Sequence, residues 1–171
     1  MRNNRTQIQK IALLAMLTAT AMILAYVEAI LPPIWSAVPG VKVGLPNVII
    51  IFVLYRFGLL SAAAVSLVRI LLSSLLFGSP MSFLYSLAGA VLSLAVMMML
   101  RKMNVFSTVG VSVAGGVFHN VGQIFAAMLL LRTAEIGYYM IVLAVTGTLA
   151  GVFVGLCGAL LLARLKGKSM P

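Results

Sequence analysis

Long apolar segments, separated by short polar breaks or by breaks rich in glycine and proline, run through almost the whole chain. A helix needs about 20 mostly apolar residues to cross the hydrocarbon core of a bilayer, and most of these segments approach or exceed that length. The pattern predicts an all-α integral membrane protein, a bundle of six transmembrane helices in a single transmembrane domain over residues 1–171. The predicted helices cover residues 11–30, 47–55, 60–77, 83–100, 105–131 and 137–163.

The second predicted helix is unusually short. The apolar stretch 48–77 is too long for one span and rather short for two full ones, so we divide it at residues 55–58, where an arginine and a glycine interrupt it. A helix over 47–55 crosses the full hydrocarbon thickness only if Arg56 snorkels or the bilayer thins.

The first apolar segment differs from a cleaved signal peptide. Residues 11–30 exceed the apolar core of such a peptide and end without a small-x-small site, so we predict an uncleaved first helix. Residues 31–46 hold too many prolines and glycines for a helix and are predicted to form a loop. In that loop, Trp35 is either an anchor at the membrane interface or part of a lid over a site.

Basic residues mark the ends of the apolar segments unevenly. With six spans, nine of them fall on the side of the termini and only Lys42 and Arg132 on the other, while Arg69 lies inside a span. Such a bias predicts that both termini are cytoplasmic and that the protein is a multi-pass protein of the cell membrane. The nine are Arg2, Arg5, Lys10, Arg56, Arg101, Lys102, Arg164, Lys166 and Lys168.

Composition narrows the classes of function. The chain is 63% hydrophobic and 8% charged, which excludes an ordinary soluble domain. Its net charge of +10 does not predict a nucleic-acid partner, because the cations lie at the edges of apolar segments.

The scarcity of acids argues against catalysis. Glu28 and Glu135 are the only carboxylates, and aspartate is absent from the sequence. An aspartate-rich Mg²⁺ site or a catalytic carboxylate pair therefore cannot form, and one histidine with one cysteine makes a zinc site implausible. We expect no enzyme activity, no metal and no cofactor, and the sequence contains no phosphate loop of the Walker type.

Arg69 is the most informative single residue. It falls near the middle of the third predicted span, where a cation costs roughly 2.5–3.5 kcal/mol unless it has a partner or faces water. Two interpretations are open. Arg69 pairs with Glu28 of the first helix, or it binds an anion in a water-filled pocket.

A second polar group lies within one turn of the fifth predicted span. His119 and Gln123 share a helix face, and Asn120 lies beside them. These side chains either join helices through hydrogen bonds or line a site together with Arg69. In the second case, four residues approach from the outer half of the bundle: Glu28, Lys42, Asn47 and Tyr85.

Small residues recur at four-residue spacing. Gly147, Gly151 and Gly155 form one stripe in the last helix, and the first helix has two alanine pairs, Ala15 with Ala19 and Ala21 with Ala25. Such faces allow close helix approach in lipid. They serve either packing within the protein or docking of a partner.

Several segments resemble one known family, labelled heptaprenyl diphosphate synthase component I and also called the Gx transporter family. The resemblance covers residues from about 9 to 165 and is carried by VKVGLPN at 41–47, LYRFG at 54–58, SLVRILLSSLLFG at 66–78, FLYSLAGA at 83–90, GVSVAG at 110–115 and HNVGQ at 119–123.

The resemblance implies a particular assembly. The family is similar to the substrate-binding S components of energy-coupling-factor (ECF) transporters, which have six helices and an alanine-rich first helix that docks on a coupling subunit. Ala15 and Ala19 fit that role. Members are also associated with isoprenoid and quinone biosynthesis and with flavin-dependent electron transfer.

Two hypotheses follow. In the first, the chain is an S-component-like subunit that binds a small anionic or polar ligand with an apolar part, and ATPases supply the energy. In the second, it is a non-catalytic membrane accessory subunit of a heptaprenyl diphosphate synthase or of a quinone or flavin electron-transfer system.

Overall fold

The computed structural model describes residues 2–31 and 43–165, and they form an all-helical bundle. The predicted six α-helices are confirmed, and five helical segments are long and apolar enough to span a membrane. The helices are α1 (Arg2–Ile30), α2 (Asn47–Phe57), α3 (Leu59–Phe77), α4 (Pro80–Met103), α5 (Thr108–Leu131) and α6 (Met140–Arg164), with a 3₁₀ helix (Ala134–Tyr139) before α6.

The helices pack around α2. Successive helices α3, α4, α5 and α6 are neighbours, and α2 packs against both α6 and α3, while α1 lies against α3 and α2 from outside. Seven consecutive residues of α2, from Val48 to Leu54, are buried. A surface helix would bury only one stripe, so α2 is enclosed on all sides.

The predicted short second helix is confirmed, and its surroundings explain how it is tolerated. Its 11 residues span about 16 Å, roughly half the hydrocarbon thickness. Because other helices rather than lipid cover it, its length does not have to match the bilayer. It ends at Gly58, whose φ of 87° lies in the left-handed region that favours glycine.

Arg101 of α4 caps α2. Its two terminal nitrogens donate to the carbonyl oxygens of Leu54 and Tyr55, the second at 3.2 Å. Its guanidinium carbon lies 5.1 Å from the centre of the Tyr55 ring. The last carbonyls of a helix have no partner within the helix, so this arginine satisfies groups that would otherwise be orphaned.

The direction of each helix follows from a few contacts. The rings of Tyr26 in α1 and Phe77 in α3 are 6.0 Å apart, so both helices end at the same face of the bundle. α3 therefore begins at the opposite face of the bundle from the one where α1 ends, and α2 lies between the two helices in the sequence. The alternating course of α3 to α6 then places the end of α6 and the start of α1 at the same end of the bundle, the end that holds Arg101. Which side of a membrane it faces stays a prediction.

Caps explain where two helices differ from the predicted bounds. α4 begins at Pro80 rather than at 83, because Ser79 caps it through a reciprocal pair of hydrogen bonds with Ser82 and proline suits the first helical position. α5 begins at Thr108 rather than at 105, because the Ser107 side chain accepts a bond from the Gly110 N–H.

The remaining bounds shift modestly. α1 begins at Arg2 instead of 11, since polar residues continue the helix beyond its apolar part, and residues 137–139 belong to the 3₁₀ helix. α2 extends two residues past 55, and α3 begins one residue before 60.

The glycine stripe of α6 packs against α5. A methyl group built at Gly151 would lie 2.6 Å from the Val113 Cα, and one at Gly155 would lie 2.7 Å from the Val109 Cα. Contacts that close leave no room for a side chain. The stripe therefore serves packing within the protein.

The two alanine pairs of α1 have different environments. Ala21 is 0% exposed and Ala25 is 9% exposed, because they face the bundle. Ala15 and Ala19 are exposed on the outer side of the helix. The structure thus uses one pair for packing and leaves the other uncovered.

Candidate ligand-binding site

Of the residues predicted to form a binding site, the structure describes seven, and six of these line one cavity of about 80 Å³, which we call the polar cavity. All six helices contribute to its wall, since Ser86 of α4 and Gly147 of α6 complete it. The six are Glu28, Asn47, Arg69, His119, Asn120 and Gln123. Lys42 and Trp35, which the sequence also singled out, lie outside the described residues.

Arg69 lies in the wall of the polar cavity with one polar atom unsatisfied. Its Nε is shielded from solvent and has no hydrogen-bond partner among the described residues. Buried donors of charged groups are normally paired, because an unpaired one forfeits its hydration without compensation. Arg69 thus brings a guanidinium to the cavity wall, and its shielded Nε has no partner among the described residues.

Glu28 shares the polar cavity with Arg69 but is bonded elsewhere. Its Oε1 accepts a hydrogen bond of 2.5 Å from the Gly44 N–H. It lies close enough to Arg69 for Coulombic attraction, yet the described residues contain no direct ion pair between the two. Glu28 therefore holds the segment that leads into α2 and leaves the Arg69 guanidinium without a direct carboxylate partner.

A narrow extension of about 40 Å³ continues from the polar cavity toward the centre of the bundle. Asn47, Arg69 and His119 line both spaces. Three buried serines line the extension: Ser66, Ser93 and Ser112. The rest of the extension is lined mainly by apolar residues and glycines, so it is less polar than the cavity from which it continues.

The three polar side chains of α5, His119, Asn120 and Gln123, have two different roles. Asn120 donates from Nδ2 to the Leu143 carbonyl of α6 at 2.6 Å, which joins two helices as the structural interpretation expected. His119 and Gln123 face α4, because a methyl group built at Gly89 would meet His119 Cε1 at 3.0 Å and Gln123 Cγ at 2.9 Å. The histidine and the glutamine therefore lie between α5 and α4, at the cavity wall.

Tyr85, the seventh predicted residue, lines a different space. This larger cavity of about 470 Å³ lies between α4, α5, α6 and the 3₁₀ helix, and we call it the apolar chamber. Ser86 and Gln123 line both the chamber and the polar cavity, so the two spaces adjoin. The chamber is otherwise mainly apolar, lined by Ile124, Ala127, Leu131, Ile136 and Leu143 with Tyr85, Tyr139 and Ser82.

Metal ligands are not gathered in the described part of the chain. Residues 2–31 and 43–165 contain no group of three histidine, cysteine, aspartate or glutamate side chains placed to hold a metal ion. The site offers instead one guanidinium, one carboxylate, amides, hydroxyls and an imidazole. These groups bind and orient a ligand by charge and hydrogen bonds.

Comparison with known proteins bears on this site. The model of the family heptaprenyl diphosphate synthase component I matches residues 17–161. The chain belongs to this family. The matched region contains all the cavity-lining residues named above, and it includes Ala19 but not Ala15. No curated protein and no solved structure matches the chain.

Sequence reasoning found Tyr85 on α4 but missed the serines of that helix. Ser82, Ser86 and Ser93 lie four and seven residues apart, which places them on one face of a helix, and they line the chamber, the cavity or its extension. That spacing in an apolar segment was the signal available. The role of Arg101 had no such signal, because it depends on where α2 ends in space.

Proposed function

We propose that this protein is an integral membrane substrate-binding subunit of an ECF-type transporter. Its ligand is a small molecule that places an anionic or polar group in the polar cavity and an apolar part in the adjoining chamber. The observation that carries the proposal is the Arg69 guanidinium in the cavity wall, which forms no direct ion pair with Glu28 and whose Nε has no hydrogen-bond partner among the described residues.

The energetics of Arg69 favour a ligand over a purely structural role. A cation within a membrane span is costly and persists where it has a partner or performs a function. Glu28 is bonded to Gly44 rather than directly to Arg69. A ligand anion would supply the guanidinium with the charge-assisted hydrogen bonds that the described residues do not provide.

Transport requires energy that this sequence has no motif to supply. A partner with ATPase subunits would provide it, and α1 offers a surface for that partner. Ala15 and Ala19 are exposed at four-residue spacing, as expected of a face on which another helix packs closely. We place the complex in the cell membrane with both termini in the cytoplasm.

Native mass spectrometry of the protein purified in mild detergent tests the binding proposal. We expect a bound small molecule in the wild type and at least tenfold less of it in R69A, since the main charged contact is lost. R132A is the matched control, because it removes the same charge from an exposed position and should leave occupancy unchanged. Equal occupancy in wild type and R69A would refute the pocket assignment.

The family name favours a second candidate, a non-catalytic membrane subunit that assembles with a synthase component. Catalysis would then belong to the partner, since this sequence has no aspartate with which to build the usual Mg²⁺ site for a diphosphate. A quinone or flavin electron-transfer partner is a variant of the same candidate.

Coexpression with defined partners separates the two candidates. The chain is coexpressed with a coupling subunit and its ATPases, or with a soluble polyprenyl synthase, and each complex is purified through the partner. Replacing both Ala15 and Ala19 with leucine should abolish retention by the coupling subunit, because the added side chains prevent close approach. Stable retention by the synthase alone would favour the accessory subunit instead.

A further inference from the structure

We infer that the ligand of this site is an amphiphile with a compact, singly charged anionic head such as a carboxylate, and that the site discriminates against a diphosphate head. The inference rests on the proposed function and deepens it by naming the ligand class. It follows from the charges, the donors and the sizes of the two adjoining spaces.

The described lining of the polar cavity offers an anionic head one permanent cation. Among its described lining residues, Arg69 is the one permanent cation and Glu28 the one acid. One carboxylate matches the single guanidinium. A phosphate ester carries about −1.5 to −2 charges at pH 7 and a diphosphate carries more, so part of that charge would face Glu28 without a counter-charge among the described lining residues.

Backbone donors do not make up the difference. The start of α2 lies at this cavity, but its first N–H groups are already bonded. Those of Asn47, Val48 and Ile49 donate to the carbonyls of Gly44, Leu45 and Pro46 at 2.8, 3.2 and 3.1 Å. The Gly44 N–H is bonded to Glu28. The usual phosphate cradle of free backbone N–H groups is therefore not offered here.

The volumes of the two spaces match a small head and a larger tail. The polar cavity of about 80 Å³ holds roughly five to eight water-sized groups. A carboxylate with a few waters fits that space, whereas a diphosphate would crowd it. The apolar chamber of about 470 Å³ falls in the range of pockets for drug-sized molecules.

Gln123 and Ser86 lie where the two spaces meet. Their amide and hydroxyl groups can donate to the far oxygen of a carboxylate held by Arg69, or to a polar atom at the neck of the ligand. The arrangement thus specifies one orientation, with the head toward Arg69 and the tail toward Tyr139 and Leu143.

The test compares ligands that have the same farnesyl tail and different head groups. Binding of farnesoate, farnesyl monophosphate, farnesyl diphosphate and farnesol to the full-length protein in mild detergent is measured by competition in native mass spectrometry. We expect farnesoate to bind about tenfold more tightly than either farnesyl diphosphate or farnesol. Tighter binding of the diphosphate would overturn the inference while leaving an Arg69-dependent pocket in place. If none of the four compounds binds, the inferred ligand class is wrong. The pocket assignment would still be tested separately, by comparing the amount of copurified small molecule in wild type and R69A.

Two variants test the separate parts of the argument. E28Q removes the acid but keeps an oxygen for the Gly44 N–H, so the preference for farnesoate over the diphosphate should fall several-fold. A127F fills the chamber, so farnesoate should weaken toward the affinity of the short 3,3-dimethylacrylate, and A127L should give a smaller effect if the phenylalanine variant folds poorly. An unchanged head preference in E28Q, or unchanged farnesoate binding in both chamber variants, would contradict the inference.

An amphiphile with a carboxylate head could be a soluble compound or a fatty acid that enters from the bilayer. Competition by oleate in phosphatidylcholine vesicles distinguishes them. Displacement of farnesoate by equimolar oleate supports a lipid-derived ligand of the inferred class, and the absence of displacement supports a solute of that class.

Discussion

Two arginines of this bundle, Arg101 and Arg69, have opposite relationships with their surroundings. Arg101 donates to two carbonyl oxygens of α2 and lies over the Tyr55 ring. Arg69 has a shielded Nε without a partner among the described residues and lies in a cavity wall. The first side chain is satisfied by the protein itself, while the second has bonding capacity left over.

The comparison shows how to interpret a cation in an apolar protein. An arginine whose donors are used by the fold stabilises the fold, and its removal orphans buried acceptors. An arginine that lies in a cavity wall with unused hydrogen-bonding capacity contributes less to stability, and what it binds explains why it is retained. Stability and binding measurements on the two positions should therefore give opposite results.

The largest effect is expected for R101A. The substitution leaves the carbonyls of Leu54 and Tyr55 without their charged donor and removes the contact with the ring, so the free energy of unfolding should fall by about 3 kcal/mol. Unfolding of the protein in mixed micelles, followed by circular dichroism, measures it. K102A, at the exposed neighbouring position, should change stability by less than about 0.5 kcal/mol. Equal effects of the two would show that Arg101 does not cap α2.

A smaller effect is expected for Y55L. Leucine keeps the backbone carbonyl to which Arg101 donates and removes only the ring under the guanidinium, so the loss should be about 0.5–1 kcal/mol. The same unfolding measurement applies. The effect should largely vanish when Tyr55 is replaced in the R101A background, and persistence of the full loss there would assign the effect to packing instead.

The R69M substitution is expected to have no consistent destabilising effect. Methionine fills a similar space without a charge, and removing a partly buried cation that lacks a direct ion pair should change the unfolding free energy by no more than about 1 kcal/mol in either direction. Binding of the copurified ligand should nevertheless be lost. A large destabilisation of R69M with ligand binding intact would reverse the comparison and make Arg69 a structural residue.

The helices were predictable because apolar segment length is a strong signal. The short α2 was also expected, since the interruption around Arg56 divides a stretch of unsuitable length. Helix starts were less accurate at α4 and α5, where serine caps at Ser79 and Ser107 set the boundary rather than hydropathy. A hydropathy pattern does not register a capping hydrogen bond.

The polar cavity was predictable in its members but not in their bonding. Polar side chains in apolar helices tend to face inward, which is why Arg69, His119 and Gln123 meet at one cavity wall. That Glu28 bonds to Gly44, that Asn120 joins α5 to α6, and that Tyr85 lies in the adjoining chamber depend on helix rotation and offset. Those quantities are set by packing across the bundle and leave no mark in a single sequence.

The enclosure of α2 has a consequence for how this protein is made. An 11-residue helix is too short to be recognised as a spanning segment during synthesis, and it presents no lipid-facing side of its own. We therefore expect α1 and the longer helices to enter the bilayer first, with α2 drawn in as they assemble around it. The last step of biogenesis would then be the insertion of α2, although α2 is made early. The hydrogen bonds from Arg101 of α4 to the end of α2 would stabilise it in that position.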